Sequence, residues 1–447
     1  MNTARESRRQ AGVARRAATT GLALMTVACS ARAPGVRASA RSIEFICTSG
    51  PTGGATPLDG SIVYSAARGY GFRERLSGAA AGQCASDQAF LFDLTLPEGN
   101  YDVSVTLGDA LPTVTTVKAE SRRLMLEQVR TNAGEFVTRR FTVNVRTPYM
   151  AGGDSVRRKA REVGSATWDD RLTLEFGGVH PSVRAISVTP ANDPVTVYLA
   201  GNSTVVDQAA EPWAAWGQMI PRFFRPGSVV IANHAESGET LKAFIGEHRL
   251  AKVLTTLKRG DYLFVEFAHN DQKAGSSHVE PYTTYKDYLG KFIDEARSRG
   301  ATPVLVTSMH RRSFDSAGHI VNTLGDYPAA MRQLAEERHV DLIDLNAMSQ
   351  QFYEALGPVQ STKAFVHYPA GTYPDQATEL KDDTHFNNYG AYELARMMVQ
   401  GLRTSGLPLA RFLLSDIPPF DPSHPDPVGA FTLPASPHSA ITKPAGS

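Results

Sequence analysis

Two hydrophobic patterns divide the chain near residue 190. Between residues 42 and 190, short apolar runs are broken by turn residues, and apolar and polar residues alternate along runs such as 101–107. A period of two is typical of strands with one buried face, and helical periodicity is scarce in this part of the chain. The pattern predicts a β-sandwich domain over residues 42–190.

Beyond Pro194, short apolar runs alternate with stretches of helical spacing. The apolar runs are nearly continuous, which is typical of strands buried on both faces of a sheet. These predicted strands are residues 195–200, 229–232, 262–267, 303–307 and 341–343. Between them, apolar residues such as Tyr285, Leu289 and Phe292 recur at helical intervals. The alternation predicts an open parallel sheet with helices on both sides over residues 195–425.

Residues 1–41 have the order of an export signal. Arginines come first, an apolar stretch runs from Ala17 to Cys29, and small residues follow. The apolar stretch is too short to span a bilayer comfortably. We therefore expect a secreted or periplasmic protein that is cleaved near Ala33. Two other signal types stay open, because Arg8-Arg9 weakly resembles a twin-arginine signal and Cys29 weakly resembles the lipid-anchor site of a lipoprotein.

The other end of the chain also lacks periodicity. From Asp416 onwards it is rich in proline, serine and histidine. We expect residues 426–447 to form a C-terminal tail that packs first as an extended strap and is disordered towards Ser447.

Charge and cysteine content narrow the classes of partner. The 447 residues include 46 Lys and Arg and 45 Asp and Glu, so no global basic field exists to gather nucleic acid or anionic lipid. We expect no nucleic-acid partner, and no membrane contact beyond the lipid anchor that stays open at Cys29. Once the signal is removed, Cys47 and Cys84 are the only cysteines, and they form either a disulfide or two small buried thiols.

Polar residues follow the predicted strands at four places. In an open parallel sheet, ligands bind at the carboxyl ends of the strands, so these positions are candidates for a functional site. The four segments are Gly201-Asn202-Ser203-Thr204, residues 233–238, Ala268-His269-Asn270-Asp271 and, after the last strand, Asp382-Asp383-Thr384-His385.

Ser203, His385 and Asp382 supply the three groups that a serine nucleophile requires. The hydroxyl of Ser203 needs a base, which His385 provides, and Asp382 accepts the proton on the other ring nitrogen. The backbone N–H groups of Ser203 and Gly238 and the side-chain amide of Asn270 are candidate donors to an oxyanion. Removal of one donor of this kind typically lowers kcat by a factor of ~10²–10³.

Simpler roles exist for each of these residues. A serine after a strand is often a turn former or a helix cap, and His385 would also suit the start of a helix. Asn270 can hydrogen-bond its own loop, Gly238 can be a turn glycine, and Asp271 is expected to be loop scaffolding. Four such segments in one chain favour the catalytic interpretation.

Together these motifs resemble the SGNH (GDSL-type) hydrolases over residues 195 to about 425, which implies a flavodoxin-like, three-layer α/β/α domain. More narrowly, residues 197–204, 211–218 and 382–386 resemble rhamnogalacturonan acetylesterases. The resemblance implies removal of acetyl esters from the pectic rhamnogalacturonan backbone, with no metal and no organic cofactor. The expected partner is therefore an acetylated plant cell-wall polysaccharide.

The resemblance extends to the preceding β region, and the chain differs from the family pattern at two positions. Residues 63–65 and 68–72 resemble the galactose-binding-like jelly-roll module that often precedes this catalytic domain. The family often has Asp in place of Asn202 and Gly in place of Ala268. We expect Asn202 to hold the turn with little loss, whereas Ala268 would crowd its loop if the backbone there needs a positive φ.

Four residues are candidate substrate contacts. Trp213 lies three residues before a second tryptophan. Aromatic residues at this spacing more often pack in the core, although one of the two tryptophans can form a wall of the sugar cleft. Lys273, Arg311 and Arg312 follow predicted strands and are candidates to bind galacturonate carboxylates, although solvated surface charge is the commoner explanation.

Two other functions stay open at this stage. Within the esterase class, the substrate can be xylan or another acetylated glycan, because substrate choice depends on loop shape rather than on the triad. From a different class, the protein can be a catalytically silent glycan-binding protein. Intact Ser203, Asp382 and His385 count against a silent domain, which would be free to lose any of them.

Overall fold

The computed structural model describes residues 42–77 and 82–445. The predicted export signal, with the lipid anchor considered for Cys29, lies outside these residues, and the expected localisation stays a prediction. In the part of the chain that is described, no helix is both long and apolar enough to cross a membrane.

Residues 43–190 fold into two five-stranded sheets that share one core. The strands are β1 (Ile43–Cys47), β2 (Thr56–Leu58), β3 (Tyr70–Phe72), β4 (Phe90–Thr95), β5 (Gly99–Leu107), β6 (Thr113–Ala119), β7 (Arg123–Thr131), β8 (Val137–Val145), β9 (Arg171–Val179) and β10 (Ala185–Pro190). One sheet has the order β2-β1-β10-β5-β8 and the other β3-β4-β9-β6-β7. Along β5, every second residue is buried in that core, as the alternating pattern predicted. The predicted β-sandwich is confirmed, and its likeness to a galactose-binding module stays a prediction.

A disulfide joins Cys47, at the end of β1, to Cys84. Both cysteines are buried in the core of the sandwich. Of the two alternatives that the sequence left open, the disulfide is therefore the one that the structure contains.

The second half of the chain forms a five-stranded sheet. Its strands are β11 (Val195–Gly201), β12 (Val229–Asn233), β13 (Tyr262–Glu266), β14 (Thr302–Val306) and β15 (Asp341–Ile343). They lie in the order β12-β11-β13-β14-β15, and every neighbouring pair is parallel. The predicted parallel sheet is confirmed.

Helices cover both faces of this sheet. They are α1 (Trp216–Met219), α2 (Leu241–Gly246), α3 (Arg249–Leu254), α4 (Lys286–Ser298), α5 (Tyr327–Arg338), α6 (Leu345–Gln360) and α7 (Asn388–Thr404). Along β11, Val197 and Leu199 join a core with α1, α6 and α7, whereas Tyr198 and Ala200 join a core with α2 to α5. Because one strand faces two cores, the architecture is the predicted three-layer α/β/α arrangement.

Asp382 and His385 lie on a separate hairpin. Strands β16 (Phe365–Tyr368) and β17 (Leu380–Phe386) pair antiparallel to each other and form their own two-stranded sheet. The sequence prediction that Asp382 and His385 follow the last strand of the parallel sheet is therefore wrong. The reason is local, since the polar β17 lacks the continuous apolar run that a strand buried on both faces needs.

Buried ion pairs connect the sandwich to the α/β part, and the described residues, 42–77 and 82–445, belong to one compact unit. Nε of Arg123, on β7, lies 2.6 Å from Oδ2 of Asp207, and both side chains are buried. Arg249, on α3, donates two hydrogen bonds to Glu162, at 2.9 and 2.6 Å. The division of the chain into domains at residues 190 and 195 stays a prediction.

The C-terminal tail runs across both parts as an extended segment. The hydroxyl of Ser436 donates to Glu175 on β9 at 2.7 Å. Further along, the backbone N–H of Ala440 donates to the carbonyl of Glu211 at 2.7 Å. The tail therefore packs against both parts as far as Ala445, which lies against the α/β part. The disorder expected towards Ser447 falls outside the described residues.

Candidate active site

Ser203 lies on the turn that follows β11, and only 1% of it is exposed. Oδ1 of Asn202 accepts hydrogen bonds from the backbone N–H of Thr204 at 3.1 Å and from its hydroxyl at 2.9 Å. A Cβ on Gly201 would lie 2.6 Å from the side chain of Val205, so a glycine is required where the strand enters the turn. Asn202 therefore supports the turn, as expected for this departure from the family pattern.

Ser203, His385 and Asp382 form one hydrogen-bonded chain. Nε2 of His385 lies 2.8 Å from Oγ of Ser203, and Nδ1 lies 2.7 Å from Oδ2 of Asp382. With the imidazole proton on Nδ1, that nitrogen donates to Asp382 and the hydroxyl of Ser203 donates to Nε2. The structure thus brings the three predicted residues together in the order that a nucleophile, a base and an orienting acid require.

Asp382 is held by the backbone and by an indole. Its Oδ1 accepts hydrogen bonds from the backbone N–H groups of Thr384 at 2.9 Å and His385 at 3.0 Å. Nε1 of Trp213 donates to its Oδ2 at 3.3 Å. Burial alone would raise the pKa of Asp382, but the hydrogen bonds and charge of His385 hold it below its ordinary value. Asp382 is therefore ionised at neutral pH, as a group that orients a base must be.

Gly238, a predicted oxyanion donor, lies on the loop after β12. The backbone N–H of Glu236 donates to the carbonyl of Gly201 at 3.2 Å, which fixes this loop beside the turn of Ser203. Gly238 has a φ of 81°, a left-handed conformation that glycine adopts without steric strain. Its position fits the predicted role, which stays a prediction.

Asn270, the second predicted donor, lies on the loop after β13 and is buried. Its Nδ2 donates to the carbonyl of Glu239 at 3.0 Å, which ties this loop to the Gly238 loop. An amide nitrogen carries two hydrogens, so one remains to donate to an oxyanion. The neighbouring Asp271 accepts a hydrogen bond from the N–H of Leu241 at 2.8 Å, a contact that agrees with its predicted role as scaffolding.

Ala268 causes no crowding in this loop. It is buried, and its backbone is not in the left-handed region. The condition under which a methyl group would disturb the aim of Asn270 is therefore absent at this residue.

Glu266, at the end of β13, is buried directly beneath the turn of Ser203. Its carboxyl group is within hydrogen-bond distance of the Thr204 hydroxyl at 3.1 Å, the Ser308 hydroxyl at 3.0 Å and Nε1 of Trp216 at 2.9 Å. Burial raises the pKa of Glu266 to about 7, although hydrogen bonds from these groups oppose the rise. Trp216 is thus a core residue, and Glu266 is a support of the site that the sequence did not indicate.

Residues 159–162 of the sandwich hold the Gly238 loop and helix α3 through three ion pairs. Nζ of Lys159 pairs with Glu239, a contact made beside the N terminus of α2. The remaining pairs are Arg161 with Glu236 at 2.7 Å and Glu162 with Arg249 at 2.6 Å. The position of a candidate oxyanion donor therefore depends on the sandwich as well as on the parallel sheet.

The structure gives the four predicted substrate contacts different surroundings. Trp213 is buried against Asp382 and also lines a cleft beside the triad. Arg311 donates to the carbonyl of His269 at 3.1 Å, and Lys273 is exposed on the Asn270 loop. Arg312 forms an ion pair with Asp383 at 2.9 Å and so ties the segment after β14 to β17. Their contact with substrate stays a prediction.

Lys443 is a residue of the site that sequence reasoning missed. Its ammonium lies 3.3 Å from Oδ1 of Asp382. The tail carries no motif or periodicity that would indicate this contact, so no local signal was available to find it. Among residues 42–77 and 82–445, no group of three or more His, Cys, Asp or Glu side chains is arranged to hold a metal ion.

A buried hydroxyl, imidazole and carboxylate in sequence beside a parallel sheet define the arrangement that serine hydrolases use. A model of the GDSL-like Lipase/Acylhydrolase family matches residues 198–392. The rhamnogalacturonan acetylesterase RhgT of Bacillus subtilis (strain 168) is 42% identical over 224 residues, which are 50% of this chain and 95% of RhgT. The probable rhamnogalacturonan acetylesterase YesY of the same organism is 34% identical over 49% of this chain and 98% of YesY.

A relative that spans more of the chain is the Bacillus subtilis protein YxiM, described as an uncharacterized esterase, which is 27% identical over 77% of this chain and 86% of YxiM. Its crystal structure covers 82% of this chain and 99% of that chain, with 25% identity and a TM-score of 0.45. From the family match and from the identity to RhgT and YesY, the chain belongs to the GDSL-like lipase/acylhydrolase family.

Proposed function

We propose that the protein is an exported serine carboxylic-ester hydrolase that removes acetyl groups from pectic rhamnogalacturonan. The observation that carries the proposal is the hydrogen-bonded chain of Ser203, His385 and Asp382, with contacts of 2.8 and 2.7 Å. The choice of substrate is supported by RhgT, a rhamnogalacturonan acetylesterase that is 42% identical over 95% of its length.

The first half of the reaction transfers the acetyl group to the protein. Oγ of Ser203 attacks the acetyl carbonyl carbon while Nε2 of His385 takes the hydroxyl proton. Asp382 accepts the hydrogen bond from Nδ1 and stabilises the imidazolium that forms. When the tetrahedral intermediate collapses, the bond to the sugar oxygen breaks, and Nε2 gives its proton to that oxygen. The products of this half are a free sugar hydroxyl and an acetyl ester on Ser203.

The second half returns the protein to its starting state. His385 takes a proton from a water molecule, which attacks the acetyl carbonyl carbon of the ester on Ser203. Collapse of the second intermediate releases acetate, and Nε2 returns its proton to Oγ. In both halves, the N–H groups of Ser203 and Gly238 and the amide of Asn270 donate to the oxygen that becomes negative.

The experiment that tests this function is a comparison of acetate release from acetylated rhamnogalacturonan, acetylated xylan and 4-nitrophenyl acetate. We expect release from all three, with kcat/KM at least tenfold higher on rhamnogalacturonan than on xylan. A preference for xylan would overturn the substrate and leave the reaction in place. Absence of release from every substrate would overturn the esterase and favour a silent glycan-binding protein.

The Ser203→Ala variant is the control for contaminating esterases. If Ser203 is the nucleophile, the kcat of the variant is at least ~10³-fold lower than that of the wild type, and the variant keeps the fold. Equal acetate release from both proteins would assign the activity to another group.

A further inference from the structure

A cleft of about 480 Å³ beside the triad is lined by three separate parts of the chain. Arg161 and Thr167 come from the sandwich, Trp213 comes from the α/β part, and Lys443 and Ala445 come from the tail. The volume lies within the ~300–1,000 Å³ of typical small-molecule sites. Two of the three parts lie outside residues 198–392, which the family model matches.

The cleft lies beside the candidate active site. Trp213, in its wall, donates to the carboxylate of Asp382 at 3.3 Å. Ser237, also in its wall, directly precedes Gly238, and a Cβ on Gly238 would lie 3.3 Å from the side chain of Ala445. A sugar in this cleft would therefore be next to the sugar whose acetyl group reaches Ser203.

Buried contacts fix the path of the tail before it reaches the cleft. Glu211 forms an ion pair with Arg122 at 2.7 Å, and both side chains are buried. The backbone N–H of Glu211 donates to the carbonyl of His438 at 3.0 Å, and its carbonyl accepts from the N–H of Ala440 at 2.7 Å. Lys443 follows three residues later, so this anchor brings the backbone of the tail close to the cleft.

Lys443 combines a fixed contact with access to solvent. Its ammonium lies 3.3 Å from Oδ1 of Asp382, while 44% of its side chain is exposed. An ammonium has three N–H donors, so the contact with Asp382 leaves donors for a ligand in the cleft.

Two further cations lie on the Asn270 loop or against it. The backbone N–H of Lys273 donates to the carbonyl of Asn270 at 3.1 Å, and Arg311 donates to the carbonyl of His269 at 3.1 Å. Neither residue is among those that line the cleft, whose basic lining residues are Arg161 and Lys443.

The acids that line the cleft are already paired. Asp207 is bound to Arg123 at 2.6 Å, Glu162 to Arg249 at 2.6 Å and Glu236 to Arg161 at 2.7 Å. These acids therefore pair elsewhere, while the ammonium of Lys443 contacts Asp382. Lys443 thus supplies a cationic donor at the wall of the cleft.

We propose that Lys443 of the tail binds the carboxylate of a uronic-acid residue next to the acetylated sugar. The tail is then part of the substrate site and makes the protein select acidic over neutral glycans. This inference rests on the proposed esterase function and adds a residue that determines its specificity.

The test compares kcat/KM for an acetylated acidic glycan with kcat/KM for acetylated xylan in the wild type and in Lys443→Gln. We expect the substitution to lower the acidic-to-neutral ratio about tenfold, mainly through KM, and Lys443→Arg to keep the wild-type ratio. Lys291 is an exposed lysine on α4, and Lys291→Gln is the matched control that should keep the wild-type acidic-to-neutral ratio. Equal losses on both substrates, or an unchanged ratio, would overturn the inference. An increase of kcat on both substrates would also overturn it, because the tail would then be a blocking segment.

A second measurement separates this inference from the proposed function. Binding of a non-acetylated oligogalacturonate is measured by calorimetry in a Ser203→Ala background, where no turnover is needed. We expect binding that weakens about tenfold on Lys443→Gln and that weakens with added salt. If wild type releases no acetate but this binding persists, the esterase fails and the subsite stands. If acetate is released but the oligogalacturonate does not bind, the subsite fails alone.

Discussion

Nε2 of His385 lies 2.8 Å from Oγ of Ser203, although 182 residues separate the two in the chain. Ser203 lies on the turn after β11, and His385 lies on the β16–β17 hairpin, which belongs to a different sheet. The backbone N–H of Ala214 donates to the carbonyl of Phe386 at 2.8 Å and so fixes the hairpin to the segment before α1. The contact between the hydroxyl and the imidazole therefore depends on long-range packing.

Asp382→Asn should lower kcat by about 10³–10⁴, because an amide cannot stabilise the imidazolium and favours the wrong tautomer of His385. The neighbouring Asp383 is half exposed and pairs with Arg312, away from the imidazole. Asp383→Asn is therefore the control and should change kcat less than threefold. Steady-state kinetics on 4-nitrophenyl acetate measure both, and equal effects of the two substitutions would contradict the assigned role.

Asn270→Ala should lower kcat by about 10²–10³ with a small change in KM, because the lost donor acts on the charge that develops in the transition state. Asn322→Ala, on an exposed loop, is the matched control. Loss expressed entirely as a higher KM would show that Asn270 binds the ground state and does not belong to an oxyanion hole.

Arg249→Met should destabilise the protein by about 3–5 kcal/mol, because it leaves the buried carboxylate of Glu162 without its partner. Arg299→Met breaks a pair with Glu295 on the surface of α4 and should cost less than about 1 kcal/mol. Urea unfolding measures both free energies. Arg249 also lies 3.7 Å from Glu239, next to Gly238, so Arg249→Met should lose activity in the folded state. Full activity of the folded variant would show that these ion pairs do not position the candidate oxyanion donor.

Glu266→Gln should remove part of the pH dependence of stability. Burial raises the pKa of Glu266 from 4.5 to about 7, so the folded state binds a proton that the unfolded state releases. The stabilisation is present below about pH 4.5 and is lost as the pH rises to about 7. At about 1.4 kcal/mol per unit of pKa, the loss is on the order of 3 kcal/mol.

The uncharged glutamine keeps a similar shape and is free of this loss. The unfolding free energies of the two proteins should therefore agree near pH 4 and diverge in favour of Glu266→Gln at pH 8. Parallel curves from pH 4 to pH 8 would show that Glu266 is ionised in the folded protein.

The periodic parts of the fold were predictable from sequence because burial decides them locally. The alternation along β5 and the continuous apolar runs of β11 to β14 follow directly from which faces each strand buries. The hairpin of β16 and β17 was not predictable in the same way. Its second strand is polar and is stabilised by pairing with β16 and by the contact of Phe386 with Ala214.

The candidate site also contains residues that the sequence indicated and residues that only the fold reveals. Ser203, His385 and Asp382 were found because their residue types and spacing have one chemical use in common. Glu266 looked like the end of a strand, and only the fold shows that the turn of Ser203 lies above it. Lys443 was missed because the tail reaches Asp382 through contacts with Glu211, and no feature of the tail's own sequence encodes that destination.

The central claim is that Ser203 is the nucleophile, and covalent labelling tests it most directly. The protein is reacted with a fluorophosphonate, which modifies activated serines, and the labelled peptide is identified by mass spectrometry. The account predicts a single label on Ser203, loss of acetate release in proportion to labelling, and no label in His385→Ala. A label on another serine, or full acetate release after Ser203 is blocked, would contradict it.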